Sequence, residues 1–104
     1  MQKSKVFRGN NFREYDSFNV LDDFILNLLL ESPILSPEEI NKLIIEKLNI
    51  SLDEETIYTS LFFMYVNGLV RYQRIGTNPI YTITEEGKQF LKDYQGIMGK
   101  IMGV

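Results

Sequence analysis

A chain of 104 residues, 44% hydrophobic and 24% charged, is sized for one domain around a single core and is not a disordered polymer. It has no cysteine and no histidine, which removes disulfide frameworks, thiolate metal sites and the commonest general base, so no metal, cofactor or enzymatic activity is expected. The net charge of −3 argues weakly against a polyanionic partner, but binding follows the local field rather than the total. Positive charge is segregated: Lys3, Lys5, Arg8 and Arg13 precede the first acid, only Lys42 and Lys47 answer the acids between residues 14 and 70, and Arg71, Arg74, Lys88, Lys92 and Lys100 return it to the last third.

Residues 1–16 read as a basic arm without apolar period, in which Phe7, Phe12 and Tyr15 are possible anchors. From Ser17 to about Glu31 the spacing of Phe18, Leu21, Phe24, Ile25, Leu28 and Leu29 predicts a helix, which Pro33 cannot continue. The strongest apolar run, Phe24 to Leu30, is broken by Asn27 and is too short to span a membrane. The basic start lacks the apolar core of a signal peptide, so a cytoplasmic location is expected. A second helix starts at Ser36-Pro37 with Glu39 placed for a capping box, buries Ile40, Leu43, Ile44 and Leu48, and stops at Asn49.

The third helix is capped by Ser51 or Asp53, has Glu54 and Glu55 in its first turn, turns Ile57, Leu61 and Met64 inward, and ends at Gly68. Leu69 to Ile75 and Ile80 to Ile83 read as two strands joined through Gly76-Thr77-Asn78-Pro79. Thr84 with Glu85-Glu86 caps a last helix whose stripe is Phe90, Leu91, Tyr94, Ile97, Met98 and Ile101. Each glycine inside a helix costs up to ~1 kcal/mol, so Gly96 and Gly99 predict fraying of this tail.

Three helices, a hairpin and a capped helix make a mainly α chain with a small β-hairpin, an α+β arrangement. Thr56-Ile57-Tyr58, Leu61, Gly68-Leu69-Val70 and Tyr81-Thr82-Ile83-Thr84-Glu85-Glu86-Gly87 resemble the PadR-like transcriptional regulators, with MarR-like winged helices second. The resemblance covers roughly residues 20–95. It implies a winged helix-turn-helix at 17–84 (three helices and a wing) and a dimerisation helix at 85–104. It also implies double-stranded DNA as partner.

On that plan, Thr56, Thr59, Ser60 and Phe63 lie on the outer face of the third helix, where hydroxyls and a threonine methyl meet base edges in the major groove. Arg71, Arg74, Thr77 and Asn78 occupy the wing and suit phosphate or minor groove. Lys3, Lys5, Arg8 and Arg13 supply a flexible phosphate contact. Phe90, Tyr94, Ile97, Met98 and Ile101 form a homodimer surface, the last three running past the compact body. The reading is a homodimeric DNA-binding regulator acting as a repressor. Its rival is a protein-interaction module, since Asp53, Glu54 and Glu55 crowd the helix end that would approach phosphates and repel a duplex there.

Overall fold

A computed structural model describes residues 17–102. Their order is α1 Val20–Glu31, α2 Pro37–Leu48, α3 Glu54–Val66, β1 Val70–Ile75, β2 Asn78–Ile83 and α4 Glu85–Met102. The basic arm with Lys3, Lys5, Arg8 and Arg13 lies outside the described residues.

Helix α1 begins three residues later than the apolar spacing predicts, because a local cap outweighs it. Asn19 Oδ1 accepts from the Asp22 backbone N–H at 2.9 Å, and the Asn19 N–H donates to Asp22 Oδ2 at 3.1 Å. This reciprocal pair satisfies two orphan donors and fixes the first turn. Phe18 therefore precedes the helix and packs beneath it. Helix α2 starts as expected, with Ser36 and Glu39 reciprocally bonded at 3.1 and 2.9 Å and Pro37 in the first turn. Asn49 ends it in the left-handed region at φ 57°. At α3 the cap is irregular. Asp53 holds the cap position, but its carboxylate accepts from the Thr56 hydroxyl at 2.6 Å instead of from a backbone N–H.

The hairpin is tighter than the sequence predicts. Antiparallel pairing runs from Val70 opposite Ile83 to Ile75 opposite Asn78, so the loop is Gly76-Thr77 alone, and Asn78-Pro79 belong to β2. Gly76 supplies the positive φ, 65°, that a two-residue loop demands. The wing is also tied to the body. Leu35 and Tyr81 exchange backbone hydrogen bonds of 3.2 and 2.8 Å, making a one-residue third strand from the loop between α1 and α2.

The Thr84-Glu85-Glu86-Gly87 junction has a physical explanation. Thr84 Oγ1 accepts from the Gly87 N–H at 2.8 Å, capping α4, and lies 2.7 Å from the Gly68 carbonyl, to which its hydroxyl donates. One side chain thus joins the end of α3 to the start of α4. Gly87 is required because a Cβ there would sit 2.1 Å from the Leu69 carbonyl oxygen. Only a bare backbone lets α4 press on the entrance of β1.

One core results. Ile25, Leu26 and Leu29 of α1 meet Ile40 and Ile44 of α2, Ile57, Leu61 and Met64 of α3, Leu69, Val70 and Tyr81 of the wing, and Leu91 of α4. Burial of each such side chain stabilises the fold by about 1.5–3 kcal/mol. Helix α4 is continuous through Gly96 and Gly99 to Met102.

Candidate nucleic-acid interface

Helix α3 has two faces of different chemistry. Ile57, Leu61 and Met64 are buried, as their spacing dictates. Ser60 joins them. It was expected on the outer face, but it is only 6% exposed, and its hydroxyl donates to Asp22 Oδ1 of α1 in a short hydrogen bond. A serine is polar enough to be read as solvated, yet a buried carboxylate 38 positions earlier gives it an interior partner. Asp22 is 1% exposed, and burial pushes its carboxyl above the ordinary carboxylate range, while the hydrogen bonds from Ser60 and Asn19 pull it back.

Opposite the core stripe, Glu55, Thr59, Phe62 and Val66 follow at three-and-four spacing and are all exposed, Phe62 by 64%. This is the outer face. Thr59 lies on it as expected. Thr56 is exposed on one flank with its hydroxyl already given to Asp53, and Phe63 on the same flank is half-buried against the core. Phe62 also belongs to this face, although its aromatic ring alone would suit a core. The signal is its place, directly after inward Leu61 and five after inward Ile57.

On the other flank, Tyr65 packs edge-to-face with Tyr72 of β1 at 6.5 Å, and Tyr72 meets its cross-strand partner Tyr81 at 5.3 Å. This aromatic row fixes the wing against α3. Arg71 and Arg74 are exposed on opposite faces of β1, and Arg74 Nε donates to the Tyr72 hydroxyl at 3.2 Å. Among the described residues, neither arginine is in a salt bridge. Thr77 and Asn78 are exposed at the hairpin end and, with Tyr58, Glu38, Glu39 and Ile75, border an open groove between wing and helices. Arg74, Thr77 and Asn78 therefore cluster at the outer half of the wing, while Arg71 sits nearer its base.

Of the residues expected at a dimer surface, Phe90 and Tyr94 have an intramolecular use. Both pack edge-to-face on Phe18, at 4.9 and 4.7 Å. Ile97 and Met98 are half-buried and Ile101 is 67% exposed. No helix among the described residues is long and apolar enough to cross a membrane.

No protein-family model and no curated protein sequence matches the chain. Solved structures do. A winged-helix DNA-binding protein from STIV superposes with a TM-score of 0.66 at 16% identity, over 76% of this chain and 87% of that one. A transcriptional regulator from Clostridium thermocellum matches with a TM-score of 0.67 at 25% identity, over 99% of this chain and 96% of its own. Bacillus subtilis PadR in complex with operator DNA matches with a TM-score of 0.61 at 32% identity, over 74% of this chain, which spans 47% of that PadR chain. The order of helices, the hairpin and the Thr84–Gly87 junction give this chain the winged-helix fold of these DNA-binding transcriptional regulators, PadR among the proteins it is similar to.

Proposed function

We propose that the protein binds double-stranded DNA as a homodimeric transcriptional repressor. The carrying observation is the free outer stripe of α3, Glu55-Thr59-Phe62-Val66, beside a wing that holds two arginines without acidic partners among the described residues. In this reading α3 enters the major groove, presenting Thr59 with Thr56 and Phe63 at its flank. Arg71, Arg74, Thr77 and Asn78 reach phosphate or minor groove, and Lys3, Lys5, Arg8 and Arg13 of the arm add phosphate contacts. Ile97, Met98 and Ile101 of α4 meet a second copy, with Phe90 and Tyr94 bracing that helix from inside. Two such helices related by a two-fold axis would face successive major grooves. Titratable chemistry plays no part, and the work is positioning alone.

One observation favours a second reading. Asp53, Glu54 and Glu55 are all exposed at the N-terminal turn of α3, which suits a basic protein partner better than phosphate. The discriminating experiment is fluorescence anisotropy with random-library duplexes at several salt concentrations. A regulator selects a sequence, and its affinity falls steeply with salt. Absence of binding at low salt would transfer α3 to the protein-interaction reading.

A further inference from the structure

The outer stripe of α3 has a chemistry that selects which base edges it can read. The usual partner of guanine in the major groove is arginine or lysine, and that of adenine is asparagine or glutamine. None of these four residue types occurs between Glu54 and Val66. Asn67, the next residue, is committed, because its Nδ2 donates to the Phe63 carbonyl at 2.8 Å. What the stripe does offer is a phenyl ring at Phe62, a methyl and hydroxyl at Thr59, and a carboxylate at Glu55. A ring and a threonine methyl suit the C5-methyl of thymine, and a carboxylate accepts from the N4 amino group of cytosine. All three point to pyrimidines.

The geometry permits all three to act together. Glu55 and Phe62 are seven positions apart on one face, which at ~1.5 Å per residue is roughly 10 Å, or about three base-pair steps. The Phe62 ring is 64% exposed, and covering it against a methyl recovers apolar burial.

We propose that α3 reads the thymine methyl groups of a pyrimidine run, with Phe62 and Thr59 as the methyl contacts and Glu55 accepting from a flanking cytosine. This rests on the reading of α3 as the major-groove helix. Recognition then depends on shape and methyl burial rather than on guanidinium–guanine pairing, and positive charge is supplied from outside the helix. The acids of α3 have a consequence as well: they disfavour non-selective binding, so selectivity comes at the expense of overall affinity.

The test uses duplexes selected by the full chain from a random pool, resynthesised with deoxyuridine in place of thymidine. Uracil keeps every hydrogen-bonding group and every phosphate and removes only the methyl. Each contacted methyl should weaken binding about fourfold on removal. Phe62→Ala should bind the thymine duplex more weakly and lose most of the thymine-over-uracil preference, while its salt slope stays that of the parent. Because Phe62 is exposed, circular dichroism of the variant should match the parent. Equal affinity for thymine and uracil duplexes would overturn the inference and leave the DNA-binding reading standing. So would selection of sites without a pyrimidine run. Failure to bind any duplex at low salt would overturn both.

Discussion

The inner and outer faces of α3 are built from neighbouring residues by opposite rules. On the inner face every group is matched: Ile57, Leu61 and Met64 fill the core, and Ser60 is paired with the buried Asp22. On the outer face Thr59, Phe62 and Val66 are all exposed, and no side-chain hydrogen bond or ring contact among the described residues engages Thr59 or Phe62. The inner face is finished by the fold, while the outer face is left to solvent. Polarity did not separate them, since the serine is inside and the phenylalanine is outside.

The widest gap between the faces should appear at adjacent positions. Leu61→Ala, at a side chain with no exposure, should cost about 2–5 kcal/mol in urea unfolding, with a residual cavity adding to the lost transfer energy. Phe62→Ala, one residue later, should stay within about 0.5 kcal/mol of the parent. Similar losses at both would mean that the outer face is packed in the free protein. Next in size is the junction that aims α4. Gly87→Ala forces a Cβ against the Leu69 carbonyl and should destabilise by about 1–3 kcal/mol, whereas Gly96→Ala meets nothing within 4 Å and should be neutral or stabilising.

Ser60→Ala sharpens the inner face by leaving a buried carboxylate oxygen without its donor, at a cost of about 1–3 kcal/mol. Its sign in pH follows from the same pair. Burial raises the Asp22 pKa in the folded chain, so the native state holds a proton that the unfolded chain releases. The stability this contributes is present below the ordinary carboxylate range and is lost as pH rises through the raised folded value. Because the Ser60 hydroxyl pulls that value down, Ser60→Ala should move the Asp22 carboxyl titration, followed by carbon-detected NMR, further upward. A downward move would mean that the hydroxyl does not favour the carboxylate. The smallest effect on the fold should come from Ile97→Glu with Ile101→Glu, where Ile101 is exposed. This pair should yield monomers by light scattering that keep the parent's circular dichroism; an unchanged mass would place the dimer surface elsewhere.

Much of this architecture was legible because caps and breakers are local. Ser36, Pro37 and Glu39, Asn49, Gly68 and Thr84 each mark a helix end through short-range chemistry, and all act there in the structure. The errors share one cause. Asn19 and Asp22 start α1 through a reciprocal bond that apolar spacing does not register, so Phe18 was counted as helical. Ser60 is inside because of Asp22, a partner on another helix, which no local pattern encodes. Phe90 and Tyr94 pack on Phe18, a contact between distant parts of the described chain that apolar spacing does not register. Long-range pairing decides these positions, and a single sequence does not state it.

The central claim is that the outer face of α3 and the adjoining wing meet DNA. Amide chemical-shift mapping of the protein with a selected duplex tests it most directly. The account requires the largest shifts at Glu55, Thr59 and Phe62 and along Arg74–Asn78, with little change around Ile25 and Ile40 in the core. Specific binding that leaves α3 and the wing unshifted would contradict it, whatever the affinity.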